Sequence, residues 1–193
     1  ARMLKEIVTT EFNIEGYPDR PFIDLVLECK PDQVTLVPDG PEVITSNCGW
    51  DTVSNSEFLG EILKEFRDNG IRTSIFIECD KLKIESAAKI GADRIELYTE
   101  NYAKQFLINK EKAIEPYVRA SEIALNNGLG VNAGHDLNLD NLEFFARYVN
   151  GLQEVSIGHA LISDSLYLGL ENTVQQYLYQ LELAKLEQLK NTL

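Results

Sequence analysis

Short apolar runs alternate with amphipathic stretches along the whole chain, and this alternation restricts the fold more than any other feature. The runs are rich in Val, Ile and Leu, which is typical of strands in a parallel sheet covered on both faces. Such strands are predicted at residues 10–16, 33–37, 73–77, 94–98, 130–133 and 154–157. Because parallel neighbours need a crossover connection, usually a helix, the pattern predicts an α/β fold made of βα units.

The amphipathic stretches carry the start and stop signals of helices. Asp19 is a candidate N-cap, and apolar residues follow it at helical spacing. Phe58 begins the apolar stripe of the second helix, which Asn69-Gly70 closes. Asp80 opens the third helix. Further helices are predicted at residues 110–127, 140–148 and 163–189.

The number of units points to an incomplete barrel. A β/α barrel needs eight strands and typically ~250 residues. No glycine-rich dinucleotide fingerprint follows the first strand to favour a doubly wound sheet, and residues 3–8 look like the end of a helix that feeds this strand. We therefore expect a single α/β domain over residues 1–193, a (β/α)8 TIM barrel of which six βα units are visible and about two N-terminal units are absent from this chain.

The chain is strongly acidic, with 18 Lys and Arg against 31 Asp and Glu and a formal net charge of −13. This charge repels nucleic acid and anionic membranes at long range, so an anionic ligand must be held by local donors. No apolar stretch approaches the ~20 residues that span a bilayer, and Cys29, Cys48 and Cys79 show no metal, redox or disulfide spacing. We expect a cytoplasmic protein without nucleic-acid or membrane partners.

Both histidines of the chain follow a glycine at the end of an apolar run, as Gly134-His135 and Gly158-His159. The carboxyl ends of strands build the active site of a β/α barrel. Two histidines delivered in this way on successive strands favour a catalytic site over one buried structural histidine and one surface histidine. The other titratable groups at predicted strand ends are Glu15, Asp39, Glu78 and Glu96. No lysine is among them, which argues against a Schiff-base aldolase.

Two glutamates are candidates for acid–base chemistry. Glu15 is either a general base in a desolvated site or a solvated carboxylate that caps a turn. Glu96 lies between Ile95 and Leu97, so it points into the barrel if those two residues face the helices. A buried carboxylate without a partner is costly, which favours a functional or salt-bridged role for Glu96.

Two loops are candidates for ligand binding. Gly158-His159 precedes a helical stretch, and free amides at the start of a short helix after the last barrel strands commonly bind phosphate. Backbone amides bind an anion whatever the net charge of the protein. The long polar loop at residues 39–51 is either a lid or ligand clamp, or an ordered surface loop.

Short motifs recur in order through nearly the whole chain: F-N-I-E at 12–15, V-T-L-V-P-D at 34–39, I-T-S at 44–46, G-I-R-T-S-I-F-I at 70–77, I-E-L-Y-T at 95–99, V-N-A-G-H at 131–135 and I-G-H-A-L-I at 157–162. Together they resemble the pyridoxine 5′-phosphate synthase family. The resemblance implies a β/α barrel that condenses 1-deoxy-D-xylulose 5-phosphate with 3-amino-2-oxopropyl phosphate to give pyridoxine 5′-phosphate, phosphate and water. It also implies a homo-octamer that needs no metal or organic cofactor.

The resemblance assigns roles to individual residues. Glu15 would be a proton acceptor, His135 the proton donor, and Glu96 would stabilise charged transition states. The family's first two barrel loops supply another catalytic histidine and phosphate-gripping arginines, and neither group has a number in this chain.

The same resemblance implies a set of substrate-binding residues. Thr45 would contact deoxyxylulose phosphate, and Gly158 with His159 would hold the phosphate of the amino ketone. Asp136 replaces a glycine that is frequent in the family and would alter the contact with deoxyxylulose phosphate. The loop at residues 39–42 also lacks the basic residues often found there.

Three other functions stay open at this point. A different phosphosugar-binding barrel, an isomerase or a synthase of the indole glycerol phosphate kind, would keep the fold and the phosphate loop. A metal-dependent aldolase would use His135, His159 and Glu96 as ligands, although no short H-x-H or H-x-x-E spacing supports it. A catalytically dead, truncated scaffold would keep only the octamer interface.

Overall fold

The computed structural model describes residues 1–40 and 48–192. Its strands are β1 (Asn13–Gly16), β2 (Gln33–Leu36), β3 (Arg72–Ile77), β4 (Arg94–Tyr98), β5 (Gly130–Gly134) and β6 (Leu152–Ser156). Its helices are α1 (Arg2–Ile7), α2 (Arg20–Cys29), α3 (Ser56–Asp68), α4 (Lys81–Lys89), α5 (Glu100–Phe106), α6 (Lys110–Asn126), α7 (Leu142–Tyr148), α8 (His159–Leu168) and α9 (Leu170–Thr192).

The strands follow one another in the sheet in chain order, β1 to β6. The pairs β1–β2, β2–β3 and β5–β6 are parallel, with Glu15 opposite Thr35 and Gly134 opposite Ser156. The predicted α/β fold with a parallel sheet is therefore confirmed. The eight-stranded barrel and the two additional N-terminal units stay predictions.

By its internal contacts the chain forms two compact units. The first consists of Ala1–Glu96 with Ile123–Gly130, and the second of Leu97–Glu122 with Val131–Leu193. The expectation of a single domain stays a prediction. No helix in the described part of the chain is long and apolar enough to cross a membrane.

In the first unit the sheet has one apolar face and one polar face. Val34 and Leu36 are fully buried on the apolar face. On the other face, Gln33 accepts hydrogen bonds from Arg72 at 2.9 Å and from Arg94 at 3.2 Å. Because side chains alternate along a strand, Glu96 shares this polar face with Arg94. A buried glutamate thus lies on a face that already carries two cations.

Most predicted helix ends are confirmed. The Asp19 carboxylate accepts a hydrogen bond from the Phe22 amide at 2.8 Å, and Asp80 caps α4 through the Lys83 amide at 3.0 Å. Phe58, the first residue of the predicted apolar stripe, is 42% exposed. It lies in the first turn of α3, where its ring packs beside Trp50 with 6.1 Å between centroids.

The predicted helix over residues 163–189 is also wrong, because it consists of two helices. Gly169 separates α8 from α9 with φ 80° and ψ 142°, a backbone region that only glycine enters readily. Several apolar residues of this stretch are exposed, including Leu166 at 81% and Leu170 at 58%. Tyr177 and Ala184 are buried instead.

Replacing Gly169 by Ala should destabilise the fold by about 1–3 kcal/mol, because a Cβ is strained at this φ and ψ. Gly60→Ala is the matched control. Gly60 lies inside α3, where a Cβ would meet only the Ile90 side chain at 3.8 Å, so alanine should stabilise by about 0.5–1 kcal/mol. Denaturant unfolding of both variants measures the two effects, and a Gly169→Ala protein at least as stable as the parent would contradict this account of the break.

Candidate active site

The structure brings the two histidines together at the ends of β5 and β6. His135 follows the last residue of β5, and His159 is the first residue of α8, three residues beyond the end of β6. Their ring centroids lie 6.1 Å apart at an interplanar angle of 66°. The ring of Tyr98, the last residue of β4, stands edge-on to His135 at 5.7 Å. Three consecutive strand ends of the second unit therefore meet at one place.

His135 lies in a turn with unusual backbone geometry. Its φ is +82°, a region that side-chain-bearing residues rarely adopt and that costs about 1–3 kcal/mol. Hydrogen bonds on both sides hold the turn. The His135 amide donates to the Ser156 carbonyl at 3.0 Å. The buried Thr99 hydroxyl donates to the Gly134 carbonyl and accepts from the Asp136 amide at 3.2 Å.

A second layer of hydrogen bonds fixes the far end of this turn. The Asn141 side-chain amide donates to the Asp136 carbonyl at 3.3 Å, and its oxygen accepts from the Asn138 amide at 2.9 Å. The Asn141 carbonyl in turn accepts from the Tyr102 hydroxyl at 2.7 Å. Burial raises the pKa of Tyr102 far above its usual range, so this hydroxyl stays a donor.

An aromatic cluster around Tyr102 packs next to these hydrogen bonds. The Tyr102 ring packs on Tyr117 and Phe145, with centroids 5.7 and 4.9 Å away. The Tyr117 hydroxyl donates to the Tyr98 carbonyl at 3.0 Å, next to Thr99. Neither α5 nor the role of Thr99 was among the sequence predictions. The spacing of four residues between Tyr102 and Phe106 is the signal in the sequence that favours this helix.

The charges around His135 are mainly negative. The Asp136 carboxylate oxygen Oδ2 lies 2.7 Å from His135 Nδ1, with side-chain exposures of 32% and 25%. The hydrogen bond from Lys104, at 2.8 Å, is the main reason that the pKa of Glu100 lies below its usual range. The Tyr98 hydroxyl and the charge of His135 lower this pKa further. The surroundings of the imidazole thus include the carboxylates of Asp136 and Glu100.

The first backbone amides of α8, beside His159, have no partner within the helix. Gly158 is the N-cap and has no side-chain cap, and its carbonyl accepts the helix bond from the Ile162 amide at 3.0 Å. The first amides of a helix have no partner within it and attract anions. Apart from its two chain neighbours, no described residue would come within 4 Å of a Cβ at Gly158. Packing therefore does not explain the glycine, and the space in front of it is open.

The other predicted residues fall elsewhere or outside the description. Glu96 is 2% exposed, between the fully buried Ile95 and Leu97. Glu15 is exposed, at the end of β1 in the first unit. Thr45 and most of the predicted lid loop lie outside the described residues. Where the chain resumes, the Gly49 amide donates to the Glu78 carboxylate at 2.9 Å.

Within residues 1–40 and 48–192, no three or more His, Cys, Asp or Glu side chains are grouped so that they could hold a metal ion.

Comparison with known proteins identifies relatives of this chain. The family model described as pyridoxal phosphate biosynthesis protein PdxJ matches residues 1–183. The pyridoxine 5′-phosphate synthase of Flavobacterium johnsoniae is 61% identical over 182 residues, covering 94% of this chain and 77% of that protein. The enzyme of the same name from Bacteroides thetaiotaomicron is 59% identical over 174 residues, with coverages of 90% and 73%.

Solved structures of distant sequence share the fold. A putative deoxyribose-phosphate aldolase from Toxoplasma gondii superposes with a TM-score of 0.61 at 13% identity, covering 99% of this chain and 72% of that one. A variant of the citrate synthase SbnG gives a TM-score of 0.59 at 12% identity, with coverages of 91% and 74%. At these identities the likeness concerns the fold alone.

Proposed function

Because the chain belongs to the family of the pyridoxal phosphate biosynthesis protein PdxJ, we propose that it is a pyridoxine 5′-phosphate synthase of vitamin B6 biosynthesis. Its substrates would be 1-deoxy-D-xylulose 5-phosphate and 3-amino-2-oxopropyl phosphate, and no metal or organic cofactor would take part. The family match along nearly the whole chain carries this proposal. The paired strand-end histidines supply the matching chemistry.

The proposed reaction requires protons to move in both directions. Imine formation, loss of water and ring closure each need a donor and an acceptor in a site with little water. His135 is the proposed proton donor, and the Asp136 carboxylate, with Oδ2 2.7 Å from Nδ1, supports this role by holding the ring. Glu15 is the proposed proton acceptor. Glu96 is the proposed stabiliser of charged transition states, a role that its burial on the polar face supports.

The phosphates need donors of their own in so acidic a chain. Gly158 and His159 are proposed to hold the phosphate of the amino ketone, which the free amides and the open space at the start of α8 support. Thr45 is proposed to contact deoxyxylulose phosphate, and Asp136 lies in the loop proposed to face the same substrate.

The proposal extends to architecture and assembly. The six strands would be part of a (β/α)8 barrel, which their regular order in the sheet supports. The protein would act as a cytoplasmic homo-octamer. Exposed apolar side chains on α8, among them Leu166 at 81% and Tyr167 at 90%, support burial of this surface against another subunit.

The proposed function predicts that the protein forms pyridoxine 5′-phosphate from the two substrates and that His135→Ala lowers turnover by about 10²–10⁴-fold. The Michaelis constants should change little, because a proton donor acts in the transition state. His159→Ala is the matched variant and should instead raise the Michaelis constant for the amino ketone phosphate. Steady-state kinetics with each substrate varied measures these constants.

Two results would contradict this proposal. Absence of product from the parent protein would favour the dead scaffold or a different phosphosugar enzyme. Unchanged turnover of His135→Ala with raised Michaelis constants would make His135 a binding residue.

The phosphate site predicts that inorganic phosphate shifts the backbone amide signals of residues 158–161. Gly158→Ala should weaken this binding about tenfold, or about 1.4 kcal/mol, because the added Cβ occupies open space next to the amides and keeps the anion at a distance. Alanine fits the local backbone, where φ is −105°, so the stability should change by less than about 0.5 kcal/mol. Gly60→Ala serves as the control that leaves phosphate binding unchanged. Amide signals that do not move at saturating phosphate would refute the site.

A further inference from the structure

The side chain of Asp136 contacts the imidazole ring of His135. Its carboxylate oxygen Oδ2 lies 2.7 Å from Nδ1 of the preceding residue's ring. An ionised carboxylate only accepts hydrogen bonds, so Nδ1 must be the protonated nitrogen of this contact. The nitrogen that remains for proton exchange is then Nε2.

We propose that Asp136 is a positioning residue that fixes the His135 ring with Nδ1 protonated and Nε2 as the proton-exchanging atom. The role given to His135 rests on the proposed synthase function. The hydrogen bond of one ring nitrogen decides which tautomer a histidine adopts and how its ring is oriented. Asp136 thereby acts on the reaction through His135 and has no need to contact substrate.

The surroundings hold the carboxylate in place for this role. The Asp136 amide donates to Thr99, and the Asp136 carbonyl accepts from Asn141. Both partners are buried, with exposures of 0% and 2%. A residue bonded at its amide and at its carbonyl has little freedom to turn away, so its side chain stays beside the imidazole.

The nearby Glu100 is less suited to fix the ring. Its carboxylate bonds the Lys104 ammonium at 2.8 Å and the Tyr98 hydroxyl, and its interaction with His135 among the described residues is one of charge. A charge at a distance does not select a tautomer. Tautomer and orientation are therefore assigned to Asp136.

The proton balance of the donor step follows from this tautomer. The imidazolium gives the proton on Nε2 to a substrate oxygen, and the electron pair of the broken N–H bond stays on Nε2. The neutral ring keeps its proton on Nδ1, still bonded to Asp136. A later proton from the reaction or from water returns to Nε2 and restores the donor.

The experiment compares Asp136→Asn and Asp136→Ala with the control Asp140→Asn, which removes a charge from an exposed residue of the same loop. Ring nitrogen shifts of 15N-labelled His135 at pH 8 report the tautomer. We expect the Nδ1–H form in the parent and in Asp140→Asn, and mainly the Nε2–H form in Asp136→Ala. Turnover of both Asp136 variants should fall about 10–100-fold, with Michaelis constants within about threefold.

Several outcomes would overturn the inference. One is an unchanged tautomer in Asp136→Ala, checked by circular dichroism to be folded. Another is unchanged turnover with raised Michaelis constants, which would make Asp136 a substrate contact. A third outcome separates this inference from the proposed function. If the parent makes no product but the tautomer still changes in Asp136→Ala, the proposed function is refuted and the action of Asp136 on the ring is supported.

Discussion

The candidate site of the second unit depends on two hydrogen bonds made by the Thr99 hydroxyl. It bonds the peptide groups on both sides of His135, at Gly134 and Asp136. The turn costs about 1–3 kcal/mol at its positive φ. The two Thr99 bonds and the His135 bond to Ser156 contribute about 0.5–1.5 kcal/mol each. Together they offset the strain, so the turn is stable only while this threonine is held.

Burial of Thr99 links the turn to the packing behind it. The threonine follows β4, and the next helix begins directly after it, so its position is set by α5 and by the aromatic cluster of Tyr102, Tyr117 and Phe145. The hydroxyls of Tyr102 and Tyr117 donate to backbone carbonyls of the site, at Asn141 and Tyr98. Apolar packing thus orients polar groups that would otherwise be free to move.

Much of this arrangement could be predicted from the sequence, because strand alternation and glycine-histidine strand ends are local signals. The sheet and the meeting of His135 with His159 needed no knowledge of long-range contacts. Thr99 could not be identified in this way, since a threonine gains its role from carbonyl and amide groups 35 and 37 residues away in the chain. The apolar spacing continues across Gly169, so the sequence gives no sign of the break between α8 and α9. The exposure of Phe58 could not be predicted either, because its neighbour Trp50 lies in a loop.

The central claim is that hydrogen bonds to Thr99 hold the His135 turn in one conformation, and hydrogen exchange of the Asp136 amide tests it most directly. This amide has Thr99 as its acceptor. We expect it to exchange as slowly as the amides of β5 in the parent protein, and to lose that protection in Thr99→Val, which keeps the shape and removes the hydroxyl. An Asp136 amide that exchanges in the parent at the rate of an unstructured peptide would contradict the account.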